Sequence, residues 1–146
     1  MMFRIALFVS SFLLLTAGAT AQDYPTKQIS LAVPFAAGGP TDTLARNLAV
    51  VMTQQLKQQV VIENVAGAGG TIAANRVAKA KPDGYSLLIA HIGMATAPAL
   101  YRKLPYNPLT DYEYIGQVAD VPMTLIAKTT LPPDNLTELI AYVKKI

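Results

Sequence analysis

The chain has 146 residues and no cysteine, with 12 Lys and Arg against 9 Asp and Glu for a formal net charge of +3. A disulfide framework and a lipidated cysteine are thereby excluded. The basic excess holds no Lys/Arg cluster longer than a pair and no aromatic-basic interleaving, which argues against a nucleic-acid partner. One histidine, His91, and no cysteine leave little for a transition metal to bind.

Residues 1–4 are a short basic start, residues 5–17 are mostly apolar, and Ala19-Thr20-Ala21 supplies a small-x-small cleavage pattern. A secretory signal peptide over residues 1–21 accounts for all three, and the apolar run is short for a bilayer span. The exported chain then begins near Gln22 with no stable membrane insertion after cleavage. About 125 residues remain, enough for one compact domain with a modest core.

Residues 29–35 (ISLAVPF) are apolar at nearly every position, as in a strand covered on both faces, and Pro34 falls near its end, where a lost ladder hydrogen bond is tolerable. From Leu44 the apolar positions Leu44, Leu48, Val51, Met52 and Leu56 share one helix face, with Thr41 or Asp42 as N-cap. Residues 60–63 (VVIE) read as a second strand, followed by the loop NVAGAGG and a helical pattern through Thr71, Ile72, Val77 and Ala80. Lys81-Pro82-Asp83-Gly84 is a turn with proline and glycine where a type I turn prefers them, and residues 85–90 (YSLLIA) are a third buried strand.

Beyond Gly93 the pattern weakens. Residues 98–104 hold one or two helical turns, and the prolines at 105 and 108 make the next stretch irregular. Residues 123–127 (MTLIA) read as a fourth strand ended by Pro132-Pro133, and Asn135-Leu136-Thr137-Glu138 resembles a capping box opening a helix with Leu136, Leu139, Ile140 and Val143 on one face. The tyrosines at 101, 106, 112 and 114 read as packing and loop anchors.

Strand, glycine loop, helix, strand, glycine loop, helix, strand is the order of a parallel α/β sheet with right-handed crossovers. Both glycine loops then lie on the edge where open α/β sheets bind ligands, outside the carboxyl ends of the strands. Gly38 and Gly39 let the backbone approach a ligand, and the amides of the following helical turn have no intrahelical acceptor. Gly67, Gly69 and Gly70 repeat the arrangement at the next helix. Two positive helix ends on one edge suit a carboxylate or a phosphate. Equally, both glycine pairs serve as nothing more than tight turns between strand and helix.

Neither loop contains Arg or Lys, so recognition would rest on backbone dipoles and bridging water. Asp42 would repel an anion if it faced the site, and is therefore expected to cap the helix or pin the loop, with Arg46 as an i, i+4 partner. His91 could line the cleft at the end of the third strand or be structural. No cofactor is expected: Gly67-Ala68-Gly69 begins a dinucleotide pattern, but Ile72 takes its sixth position, and no Walker sequence follows either pair. Ser30 and Ser86 lie in strands, with no nucleophile elbow around them, so an exported α/β enzyme acting on an anion lacks a nucleophile-base pair.

Five segments carry a family likeness: YPTKQISLAVPFAAGGPTDTLAR, VVIENVAGAGG, KPDGYSLLIA, PALYRKLPYNPLTDYEYIGQVA and LTELIAYVKK. In that order they resemble the N-terminal part of the Bug-type extracytoplasmic solute receptors, the substrate-binding components of tripartite tricarboxylate transporters. The likeness covers residues 24–145. It implies the first lobe of a type II periplasmic-binding-protein fold, a periplasmic location, and capture of a small organic acid for a membrane permease without any enzymatic step.

In that family the first lobe holds a ligand carboxylate through backbone groups and bridging waters at its βα loops. Carried over, the first loop supplies Phe35, Ala36, Ala37, Gly38, Gly39, Thr41 and Asp42. The second supplies Ala66, Gly67, Ala68, Gly69 and Gly70, and the third His91, Ile92 and Gly93. Ala66 stands where members usually have Pro, and Ala97 where they often have Asn, which bears on loop rigidity and ligand choice. The likeness further implies an incomplete first lobe over residues 22–120 and, over residues 121–146, a lobe-crossing strand and the first helix of a second lobe. A truncated receptor, or a fragment that binds nothing, is the corresponding expectation.

Overall fold

The computed structural model describes residues 23–145, so the expected signal peptide lies outside the described residues. They form two compact units, one running up to Glu113 and the other starting at Tyr114.

The first unit is built on a three-stranded sheet of β1 (Ile29–Val33), β2 (Val60–Asn64) and β3 (Ser86–Leu88), in the order β2-β1-β3. Both pairings are parallel, with Leu31 opposite Ile62 on one side and opposite Leu87 on the other. All three expected strands are present. β1 and β3 are shorter than the apolar runs suggested, because β1 stops before Pro34 and pairing with β3 spans only Ser86 to Leu88, whereas β2 runs one residue further, to Asn64.

Helix α1 (Pro40–Leu56) joins β1 to β2, and helix α2 (Thr71–Ala78) joins β2 to β3. The first crossover steps to one side of β1 and the second steps back past it. Crossovers of one hand that move in opposite directions put their helices on opposite faces of the sheet. The core divides accordingly. Ile29, Leu31, Val33, Val60 and Ile89 form one cluster with Ala45 and Ala49, against which Leu44, Leu48, Met52 and Leu56 of α1 pack. Leu88 points the other way and packs against Ala74 of α2, Met94 of α3 (Gly93–Leu100) and Tyr106. Val51, expected on the buried face of α1, is 55% exposed; the i, i+4 ladder from Leu44 to Leu56, filled in by two alanines, meets the sheet without it.

The start of α1 corrects the expected cap. Gly39 is the N-cap and Pro40 the first helical residue, where a missing N–H costs nothing. That leaves Asp42 in the first turn, with its side chain turned elsewhere. Glu63 of β2 accepts from the Ser30 hydroxyl at 2.7 Å and pairs with Arg76 of α2, tying both strands to that helix. The tyrosines anchor: Tyr112 donates to the Ala74 carbonyl at 2.8 Å, and its ring stands edge-on to Tyr106.

In the second unit, helix α4 (Leu136–Val143) starts at the expected capping box. Asn135 accepts from the Glu138 amide at 3.0 Å, and Glu138 accepts in return from the Asn135 side chain and the Asp134 amide. Residues 123–127 do not form the expected fourth strand. Met123, Leu125 and Ile126 are 71 to 86% exposed, and the second unit has no strand among the described residues to pair with.

Candidate functional site

Three parallel strands bring three βα junctions to one edge of the sheet: residues 34–39 after β1, 65–70 after β2 and 89–92 after β3. The residues of the expected loops fall at these junctions, except that Thr41 and Asp42 lie in the first turn of α1 and Gly93 opens α3. A reversal of direction at β1 makes the gap between the β1 and β3 ends a topological switch point, where ligands of open α/β sheets bind.

The first junction is held from within. Gly38 has φ +83 and donates its amide to Asp42 Oδ2 at 2.8 Å. Asp42 is 2% exposed. The same Oδ2 accepts from Arg46 Nε at 2.8 Å, and Oδ1 accepts from Asn64 Nδ2 at 2.9 Å. Hydrogen bonds from Arg46, Gly38 and Asn64, aided by the Arg46 charge, outweigh burial and hold the Asp42 carboxyl far below the usual carboxylate range. The carboxyl thus stays ionised, with its charge paired to Arg46 beside the loop. Asp42 pins the loop and does not cap the helix.

The first helical hydrogen bond of α1 runs from Thr43 N to Gly39 O at 2.9 Å. The amides of Gly39, Thr41 and Asp42 therefore precede the intrahelical ladder, at the positive end of a 17-residue helix. Ala36 and Ala37 are exposed, while Phe35 is half-buried with its ring 4.7 Å from the His91 imidazole.

The second junction differs from the first. Gly67, Ala68, Gly69 and Gly70 all have positive φ, a run that the glycines make affordable and that Ala68 resists. Gly70 N donates to Gly67 O at 2.9 Å, and the Ala68 carbonyl accepts from the Thr71 amide, the Thr71 hydroxyl and the Tyr101 hydroxyl. The Gly70 and Thr71 amides, at the start of α2, are thus satisfied by the loop's own carbonyls, so the two glycine loops are not equivalent. Ala66 to Gly69 remain exposed, and Gly70 is buried.

At the third junction the Gly93 amide donates to His91 Nδ1 at 3.0 Å. With Nδ1 accepting, the neutral ring carries its proton on Nε2. A Cβ on Gly93 would lie 2.3 Å from the ring, and one on Gly70 would lie 3.3 Å from Nε2 and 3.1 Å from Pro34 Cβ. Both glycines thus make room for the imidazole. Ile92 is 61% exposed and adds an apolar rim. A recess of about 10 Å3 lined by Pro34, Gly70, Ala90, His91 and Met94 opens at this point, with room for one water at most.

Among the described residues, the arrangement offers helix-end amides, the imidazole of His91 and a carboxylate paired with Arg46, with no group of three or more metal-binding side chains. Asn64 was not singled out from sequence, although a polar residue ending an apolar strand beside a glycine loop is a usable signal.

Residues 44–146 match the family described as "TctC: Tripartite tricarboxylate transporter family receptor". The chain belongs to this family. The second and third junctions lie within the matched stretch, and the first lies just ahead of it. Among curated relatives, a UPF0065 protein encoded in the TAR-I ttuE-ttuC' intergenic region of Agrobacterium vitis is 50% identical over 128 residues, covering 87% of this chain and 37% of that protein. Among solved structures, the periplasmic binding protein BugD is 55% identical with a TM-score of 0.67, over 84% of this chain and 41% of BugD. MatC from Rhodopseudomonas palustris, solved with bound malate, is 43% identical with a TM-score of 0.69, over 83% of this chain and 42% of its own. The chain spans about two fifths of the length of these TctC-family relatives, and its α/β architecture with a parallel sheet is that of a periplasmic binding protein. Among the described residues, no helix is long and apolar enough to cross a membrane.

Proposed function

We propose that the chain supplies the first ligand-binding lobe of a periplasmic receptor that captures a small organic acid for a tripartite tricarboxylate-type transporter, and that it performs no chemistry on that acid. The observation that carries this reading is the first junction: a helix N-terminus whose neighbouring carboxylate, Asp42, is paired with Arg46 and hydrogen-bonded by Asn64. An anion placed there meets a positive helix end beside a carboxylate whose charge is already paired with Arg46. Helix-end terms of about 0.3–1 kcal/mol and charge-assisted hydrogen bonds of about 1.5–3 kcal/mol suffice for one carboxylate group. His91 Nε2 offers a further donor, and the one-water recess beside it suits a bridged contact. Bound malate in MatC supports this ligand class, and BugD, a periplasmic binding protein, supports the location.

In this reading residues 1–21 are the export signal, residues 22–120 the lobe, and residues 121–146 the passage toward a second lobe; the permease is the partner. The roles of Phe35 to Asp42, Ala66 to Gly70 and His91 to Gly93 belong to the same proposal. Calorimetric titration of malate and longer dicarboxylates into the purified chain tests it. Saturable heat is expected on titration with at least one of these acids. No heat across the panel from a chain with a folded circular-dichroism spectrum would overturn it.

A further inference from the structure

Asn64 ends β2 opposite Val33, the last residue of β1, and starts the run into the second glycine loop. Its two amide hydrogens go to opposite ends of the first junction: Nδ2 lies 3.1 Å from the Phe35 carbonyl and 2.9 Å from Asp42 Oδ1. Its Oδ1 accepts from Arg46 at 3.4 Å, the same guanidinium that grips Asp42. The residues between those two anchors carry the exposed loop backbone and the Gly38 amide, which Asp42 holds. A primary amide is the chemistry this position needs, with two donors on one side and an acceptor on the other. A carboxylate would face Asp42 with like charge, and an apolar isostere would leave the Phe35 carbonyl and Asp42 Oδ1 without their donor.

We propose that Asn64 is a positioning residue for the anion site: it fixes the shape of the first loop from the end of β2 and so couples that loop to the second one. The functional half of this inference rests on the receptor reading above; the structural half does not.

The test uses the full chain carrying Asn64→Asp and, separately, Asn64→Ala. Amide exchange and chemical shifts are read by NMR without ligand, and malate affinity by calorimetry. In both variants the Gly38 amide should exchange at least about tenfold faster and shift away from its carboxylate-bound position, with the Leu31 and Ile62 amides unchanged. Malate affinity should fall by about tenfold or more. Unchanged Gly38 behaviour in both variants overturns the proposal. So does loss of the Leu31 and Ile62 protection together with that of Gly38, which would make Asn64 a general fold residue. Binding by the wild type that neither variant weakens overturns the positioning role. A Gly38 response in a wild-type background that binds no acid leaves Asn64 setting the loop and removes the receptor reading instead.

Discussion

Ile29 and Ile126 are the same residue in two runs with the same apolar, β-favouring character, yet Ile29 is fully buried in β1 and Ile126 is 86% exposed. Ile29 pairs with Val60 in the β2 ladder, the residue after it pairs with Ser86 of β3, and its side chain sits in the cluster that α1 covers. Residues 123–127 have no partner strand among the described residues. Composition nominates a strand, and only backbone pairing makes one. The region up to Glu113 is therefore where side-chain identity decides stability, and the region from Tyr114 is where it decides surface character.

The sharpest way to break this comparison is at its most connected polar group. Asp42→Ala removes the acceptor for Arg46, Asn64 and the Gly38 amide at once, and thermal unfolding by circular dichroism should show Tm lowered by about 5–10 °C. The acid limb reports the same network. Asp42, bonded by Arg46, Glu63, bonded by Ser30, and Asp83, bonded by the Tyr85 amide, are all held below their ordinary values. Such carboxyls contribute stability that is fully present above the unfolded-state pKa and is lost as pH falls toward the folded one. Urea midpoints should therefore drop as pH goes below about 4, with a shallower slope in Asp42→Asn.

A pair of glycine substitutions sharpens the picture within the first unit. Gly70→Ala must place a Cβ against Pro34 and His91 at positive φ, and should cost about 2 kcal/mol in urea unfolding while moving the His91 ring resonances. Gly38→Ala meets open space, so only its φ of +83 is at issue, and about 1 kcal/mol is expected. Equal costs at the two sites would contradict the crowding assigned to Gly70. The smallest effect belongs to the second unit: Ile126→Ser should change unfolding free energy by less than about 0.5 kcal/mol and should raise solubility.

Much of the site-bearing architecture was legible from residue order. ISLAVPF, VVIE and YSLLIA are apolar enough to mark doubly covered strands, and the glycine loops between them and their helices fix a parallel sheet with its junctions on one edge. The Asp42–Arg46 pair was legible because its four-residue spacing is local. Asn64 was not, since it reaches Asp42 across 22 positions and only the register of β2 against β1 brings them together. Likewise the second loop looked like a copy of the first, and only its backbone reveals amides turned onto Gly67 and Ala68 carbonyls. The N-cap was misread because Pro40 takes the first helical position and frees Asp42 for the loop.

The strand order has a consequence for growth of the sheet. β1 is satisfied on both flanks, whereas β3, at one rim, pairs along one flank only among the described residues. Its outward-facing peptide groups form a short template onto which one more extended segment can zip, whether from the same polypeptide or from a neighbouring molecule. With just three residues in that strand, the template is brief, and brevity is what guards it against runaway stacking.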